Sequence, residues 1–157
     1  ITKMVQSLGH APAGSGEDTF LTGIVVQFDL TLPTKVWTEI QRYHFMDFIS
    51  SQSTMHCITK MDIADQCNEY VFDATIMQLQ KEVERYREKP SEETFRTIIY
   101  NIPSGFCLTA RMTTNYRQLK TIYYQRRKHR LREWREICKW IETLPCAKEL
   151  IIGEEEE

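Results

Sequence analysis

The chain has 157 residues, of which 41% are hydrophobic and 27% are charged, and its formal net charge is -2. This composition is ordinary for a globular protein and excludes a disordered or collagen-like chain, and the charge argues against a dedicated nucleic-acid binder. The length predicts a single domain over residues 1–157. We expect residues 153–157, GEEEE, to form an acidic, frayed tail.

Location and metal content follow from what the sequence lacks. No apolar run approaches the roughly 20 residues of a membrane helix, and no basic-then-apolar leader is visible. The five cysteines are odd in number and form no CxxC pair, and the four histidines are scattered. This pattern predicts free thiols in a reducing, cytoplasmic compartment and no bound metal.

The first regular elements follow a small, polar loop over residues 9–19. Residues 22–32, TGIVVQFDLTL, alternate with period two, which is typical of a strand with one face on a core. Pro33 ends that strand. Val36, Trp37, Ile40, Tyr43 and His44 then recur at helical spacing and predict a helix with an apolar stripe.

The segment Phe48–Ile58, FISSQSTMHCI, has the β-branched and aromatic residues of a strand but carries many hydroxyl and amide groups. As a strand it would place Ser50, Gln52, Thr54 and His56 on one face. Such groups need hydrogen-bond partners. Two interpretations stay open: a solvated edge strand, or a strand that lines a ligand site.

The remaining elements are mainly helical. Helices are predicted over 62–68, 72–87, from Pro90 through Ile98, 116–128 and 131–143, and a third strand over 106–113. We therefore predict an α/β (α+β) protein with a small, mostly antiparallel sheet packed with helices.

A basic segment covers residues 111–132. It holds eight of the chain's 20 Lys and Arg residues and no carboxylate, and such a concentration of charge attracts phosphates and other anions. Asn115 and Arg126 are three helical turns apart on one face, roughly 16 Å along the axis. Arg126 also continues an inward stripe, so it needs an anionic partner. That partner is a bound phosphate, or an internal acid such as Glu133 or Glu136.

Several common catalytic patterns are missing from the sequence. It has no GxxxxGK[ST] loop, no strand-associated GxGxxG and no GxSxG elbow. Residues 108–127, LTARMTTNYRQLKTIYYQRR, instead resemble the segment of the flavin-dependent thymidylate synthases in which a Thr-containing strand enters a helix that begins Asn-x-Arg-x-Leu. Arg126 stands at the position of that family's further Arg, and Pro103 at that of its Pro before the strand.

The N-terminal half resembles the same family in residue type. Residues 16–33 are similar to its strand entry, and Arg42-Tyr43-His44 falls on its Arg-His-Arg signature. Only the first Arg of that signature is kept, and Ile49-Ser50 stands where the family has Asn-Glu.

The resemblance implies a flavoprotein of nucleotide biosynthesis. It would bind FAD and a uridine nucleotide, with methylation of dUMP by a folate one-carbon donor and NADPH as a further co-substrate. It also implies a homotetramer. The cysteine pattern and the missing membrane segment predict that this protein is cytoplasmic and not attached to a membrane. Implied substrate-binding residues are Arg126, Gln52, Ser53 and Arg42. Implied cofactor-binding residues are Asn115, Arg117 and His44.

Two other functions stay open from the sequence. The departures from the signature favour a non-catalytic homologue that acts as an oligomeric binding or structural protein. The basic segment is also compatible with nucleic-acid binding, because its charges are interleaved with aromatic residues that can stack on bases: Tyr116, Tyr123, Tyr124 and Trp134. At helical spacing, however, such aromatic residues are more often part of a core.

Overall fold

The computed structural model describes residues 1–12 and 14–153. Most of the acidic tail expected over residues 153–157 therefore lies outside the described residues. The chain divides into two compact units. Unit 1 contains residues 1–28, 43–47 and 112–157, and unit 2 contains residues 29–42 and 48–111. The single domain expected from the length stays a prediction.

The sheet confirms the predicted fold class. Its three strands are β1 (Val25–Pro33), β2 (Asp47–Ser51) and β3 (Cys107–Asn115), in the order β1-β3-β2. The sheet is antiparallel. Thr31 faces Thr109 across β1 and β3 through a hydroxyl–hydroxyl hydrogen bond of 2.7 Å. β2 is an edge strand, and all five of its residues are exposed.

Strand alternation follows the sequence prediction. In β1, exposed residues alternate with partly buried ones until Leu32, which is buried. In β3, Ala110 and Met112 are buried, while Arg111 between them is exposed. Period-two burial of this kind results from successive side chains pointing to opposite faces.

Helices make up the rest of the regular structure. The α-helices are α1 (Lys3–Gly9), α2 (Thr34–Ile40), α3 (Thr54–Cys57), α4 (Ile63–Gln66), α5 (Asp73–Glu88), α6 (Glu92–Tyr100), α7 (Tyr116–Arg126) and α8 (Arg132–Glu142). Two 3₁₀ helices cover Glu17–Gly23 and Ile58–Lys60, and a π-helix covers Lys148–Ile152. No helix in the described part of the chain is both long enough and apolar enough to span a bilayer.

The core of unit 2 is built on α5 and α6. Leu79 and Val83 of α5, Ile98 of α6 and Phe106 are buried in one cluster. Gly105 lies at a close approach in this unit, since a Cβ there would meet Asn68 Oδ1 and Val71 Cγ2 at 2.5 Å. No other side chain fits this position without displacing its neighbours.

The core of unit 1 is built on α7 and α8. Leu119 and Ile122 of α7 and Trp134 and Ile141 of α8 are completely buried. The 3₁₀ helix Glu17–Gly23 and the π-helix also contact α7. α7 is thus the central element of this unit.

Two sequence expectations around β2 are wrong in extent. The predicted strand Phe48–Ile58 ends at Ser51, and α3 follows it, closed by a 3.0 Å hydrogen bond from the Cys57 N–H to the Ser53 carbonyl. The helical turn brings Ile58 into the core of unit 2, where it is 1% exposed, and burial of that side chain outweighs its β propensity. In addition, α2 ends at Ile40, so Tyr43 and His44 lie beyond it.

Candidate functional site

A cleft of about 910 Å³ opens in unit 1. Its walls come from the segment after α1, the 3₁₀ helix Glu17–Gly23, the loop before β2 and one face of α7. Three of the seven residues implied as binding residues line it: Asn115, Arg117 and His44. The structure therefore brings together the three residues that the family resemblance assigns to the cofactor.

Asn115 sets the start of α7. It is the N-cap residue, and its Oδ1 accepts a 2.9 Å hydrogen bond from the Gln118 N–H. An Asn in this position satisfies one of the unpaired N–H groups at a helix start. The cap fixes the first turn of α7, so Arg117 and Gln118 are held at the cleft wall.

Arg117 shares a buried carboxylate with Lys120. Arg117 Nε lies 3.2 Å from Asp18 Oδ1, and Lys120 Nζ lies 3.2 Å from Asp18 Oδ2. Asp18 is 2% exposed and Lys120 is 7% exposed. Burial of these charges is tolerated because each has an oppositely charged neighbour.

Asp18 has no functional signature in the sequence, and Lys120 stands out there only as a member of the basic segment. One signal was present for Lys120, because it stands four residues after Tyr116 and three before Tyr123, which are both buried. A charge on such a stripe indicates a buried partner. Asp18 follows a Gly-rich loop that gives no comparable signal.

His44 and Phe45 contribute the loop wall of the cleft. The Phe45 backbone has a positive φ of 55°, and its carbonyl accepts a 2.7 Å hydrogen bond from the Thr114 hydroxyl. A bulky residue rarely adopts this conformation without support. The bond to β3 fixes the loop, which leaves the imidazole of His44 exposed at the cleft.

Arg126, the implied nucleotide contact, ends α7. Its Nε donates a 2.8 Å hydrogen bond to Tyr43 Oη, and its guanidinium lies 4.4 Å from the ring centre of Trp134. Tyr43 Oη in turn donates to Gln125 Oε1 at 2.8 Å. Arg126 is therefore held by aromatic partners, and it is not among the residues that line the cleft.

The other three implied substrate-binding residues, Arg42, Gln52 and Ser53, belong to unit 2. Gln52 extends the pairing of β2 with β3. Its N–H donates to the Thr109 carbonyl and its Oε1 accepts from the Thr109 N–H, both at 2.9 Å. Gln52 also lines a pocket of about 210 Å³ with Trp37 and Phe48, whose rings are 5.2 Å apart.

Several cations of the basic segment have carboxylate partners. Arg111 pairs with Asp29, Arg117 and Lys120 with Asp18, and Arg132 with Glu136. These pairs reduce the net charge that the segment presents to solvent. They favour binding of a discrete anion over the continuous phosphate contacts of a nucleic-acid surface.

Buried tyrosines near the site stay protonated at neutral pH. Burial raises the pKa of Tyr116, and the Cys146 thiol adds to the effect. Burial, followed by the nearby Glu142, raises the pKa of Tyr123.

In the described part of the chain, no group of three or more His, Cys, Asp or Glu side chains is arranged to hold a metal ion. The arrangement is suited to binding anions and planar rings.

The described fold is similar to that of solved flavin-dependent thymidylate synthases. One similar structure is the crystal structure of flavin dependent thymidylate synthase ThyX from Helicobacter pylori complexed with FAD and dUMP. Its TM-score is 0.64 at 17% sequence identity, over 91% of this chain and 77% of that chain. A second crystal structure of ThyX from Helicobacter pylori with FAD and dUMP gives a TM-score of 0.60 at 13% identity, over 93% and 86%. At these identities the likeness shows the fold alone. No protein-family model and no curated protein matches the sequence.

Proposed function

We propose that the chain binds FAD and a uridine nucleotide as a thymidylate-synthase-like flavoprotein. The observation that carries the proposal is that Asn115, Arg117 and His44 all line one cleft of about 910 Å³. The similar structures, which were solved with FAD and dUMP, support the choice of ligands.

The residues of the cleft fit the chemistry of a flavin nucleotide. A guanidinium binds phosphate oxygens through two parallel N–H groups, and Arg117 supplies one. Gln118 and Gln125 supply amides for hydrogen bonds, and Phe45 and Tyr124 supply apolar surface. The volume is at the upper end of the range for small-molecule sites, roughly 300–1,000 Å³. When bound, a flavin supplies hydride transfer, while the protein supplies binding and orientation.

We further propose that the protein turns over dUMP. We propose methylation with a folate one-carbon donor and NADPH as co-substrates, in a cytoplasmic homotetramer. Arg126, Arg42, Gln52 and Ser53 are the nucleotide contacts that we propose from the family resemblance. Two of these side chains are hydrogen-bonded within the chain, Arg126 to Tyr43 and Gln52 to Thr109.

The first test is spectroscopic. Purified protein is mixed with FAD, and the flavin absorption and fluorescence are recorded with and without dUMP. Saturable binding and a further spectral change on adding dUMP are expected. Unchanged spectra at all ligand concentrations would remove the proposal.

Variants of the cleft locate the binding. We expect Arg117→Ala to weaken the binding of FAD by about 10- to 100-fold, since one hydrogen-bonded charge contact is lost. Arg96→Ala is a matched control, because Arg96 is an exposed arginine that pairs with Glu92 one turn away. Equal losses in the two variants would show that the effect is not specific to the cleft.

A non-catalytic binding protein is the second candidate. The observation that favours it is that Tyr43, which stands at a signature His, is already hydrogen-bonded to Arg126 and Gln125. The two candidates differ in turnover. Methylation at C5 replaces the hydrogen on that carbon, so dUMP labelled there with tritium releases the label to water. Ligand binding without release of tritium, with all co-substrates present, identifies the non-catalytic form.

A further inference from the structure

Asp18 is a buried acid in the wall of a cationic cleft. It lies in the 3₁₀ helix Glu17–Gly23, is 2% exposed, and lines the same cleft as Arg117 and Lys120. A carboxylate removed from water needs strong compensation. The cations beside its two oxygens therefore indicate what Asp18 does for its neighbours.

The two oxygens have different partners. Oδ2 accepts a 3.2 Å hydrogen bond from Lys120 Nζ. Oδ1 lies 3.2 Å from Arg117 Nε, yet it accepts no hydrogen bond from any described residue. The Nε–H is therefore not aligned with Oδ1, and the contact is an ion pair without a formed hydrogen bond.

The Lys120 ammonium makes all three of its hydrogen bonds inside the protein. It also donates to the carbonyls of Gly9 and Ala11, both at 2.8 Å. An ammonium has three donors, and all three are thereby taken. Of the two cations beside Asp18, it is therefore Arg117, with 36% of its side chain exposed, that can bind an anion from the cleft.

We infer that Asp18 is a positioning residue that holds the Nε side of Arg117 and leaves the Nη groups to bind a phosphate of the ligand. The fork of an arginine can contact two anions at once, which a lysine ammonium does less well. The inference rests on the proposed function, in that the phosphate belongs to the diphosphate of FAD. It assigns to Asp18 a role in ligand affinity in addition to neutralising Lys120.

A double-mutant cycle tests the inference. Dissociation constants for FAD and for riboflavin, which has no phosphate, are measured by flavin fluorescence for the wild type, Asp18→Asn, Arg117→Ala and the double variant. Asp18→Asn keeps an oxygen for Lys120, and thermal unfolding verifies that each variant is folded.

Asp18→Asn is expected to weaken the binding of FAD about 10-fold or more, while the affinity for riboflavin changes less than about threefold. The double variant is expected to match Arg117→Ala, because Asp18 acts through Arg117. An unchanged FAD affinity in Asp18→Asn would overturn the inference. So would losses that multiply in the double variant, or an equal loss for riboflavin.

A second variant covers the case in which Asp18→Asn does not fold. Arg117→Lys keeps the charge but has one cationic centre for two acceptors, so its FAD affinity is expected to approach that of Arg117→Ala. Wild-type affinity in Arg117→Lys would contradict the inference.

A separate experiment distinguishes failure of the proposed function from failure of the role inferred for Asp18. If the wild type binds no FAD, that function is wrong, and the same variants are then titrated with inorganic pyrophosphate by calorimetry. Binding that Asp18→Asn and Arg117→Ala weaken without multiplying supports the role of Asp18. Absence of pyrophosphate binding by the wild type overturns it as well.

Discussion

Lys120 Nζ donates to Asp18 Oδ2 at 3.2 Å, and the two residues are 102 positions apart in the chain. Lys120 is a residue of α7, and Asp18 lies in the 3₁₀ helix Glu17–Gly23. The same ammonium donates to the carbonyls of Gly9 and Ala11. A single buried cation thus holds the N-terminal segment on α7 and shapes the wall of the cleft.

Replacing Lys120 should destabilise the protein strongly. In Lys120→Met, Asp18 stays buried with one cation fewer, and the loss of one partner of a buried pair costs about 3–5 kcal/mol. Lys128→Met is the matched control, because Lys128 is an exposed lysine of the same basic segment, where substitution changes stability by about 0.5 kcal/mol or less. Urea unfolding measures both. A loss below about 1 kcal/mol in Lys120→Met would show that Asp18 is compensated in another way.

The ion pair between Arg111 and Asp29 predicts a small dependence of stability on acid. Arg111 Nε donates a 2.7 Å hydrogen bond to Asp29 Oδ1, and Arg111 Nη2 donates a second one of 2.7 Å to Asp29 Oδ2. This bonding holds the pKa of Asp29 below its usual value of 3.8. The carboxylate therefore contributes stability above the unfolded-state pKa, and that contribution is lost as the pH falls through the folded-state pKa.

The measurement compares the melting temperatures of the wild type and Asp29→Asn. The wild type is expected to melt at most a few degrees higher near pH 7, because both groups are about half exposed. The difference should shrink below about pH 3.8 and in 1 M salt. A difference that grows with acid would contradict the assignment.

The parts of the fold that depend on local pattern could be predicted from the sequence. The alternation in β1 and β3 and the stripe of Leu79 and Val83 in α5 match the burial that the structure shows. In each case the side-chain period is fixed by the element itself. Short elements are different, and no apolar period predicts α1, in which Gly9 is the one buried residue.

The site was less predictable because its parts come from distant segments. The resemblance to a family brought Asn115, Arg117 and His44 forward, and they line one cleft. Asp18 has no local pattern, and its role arises only when the 3₁₀ helix contacts α7. The early end of β2 depends likewise on burial of Ile58 in the core of unit 2.

Cysteine reactivity should separate Cys138 from Cys146. Cys138 is 2% exposed, and burial, followed by Glu142, raises the pKa of its thiol to about 11. Cys146 is exposed. The thiolate is the reactive form, so iodoacetamide at pH 8 should label Cys146 early and Cys138 only after unfolding. Peptide mass spectrometry measures both, and Cys146→Ser is the control. Early labelling of Cys138 in folded protein would show that its environment opens.

Arg126 should stabilise the protein even when no ligand is bound. Its guanidinium lies 4.4 Å from the ring centre of Trp134, and its Nε donates to Tyr43 Oη. A cation near a buried ring contributes up to about 2 kcal/mol and a hydrogen bond about 1 kcal/mol. Arg126→Ala should therefore lower the free energy of unfolding by about 1–3 kcal/mol, measured in urea without nucleotide.

The neighbouring arginine provides the control for that measurement. Arg127 lies over the rings of Tyr123 and Tyr124 at 5.8 and 5.3 Å but is exposed. Arg127→Ala should cost less than about 1 kcal/mol, because water screens an exposed cation. Arg126→Lys should recover only part of the loss, since an ammonium does not stack as a planar guanidinium does. Equal costs for Arg126→Ala and Arg127→Ala would mean that the contact with Trp134 contributes little.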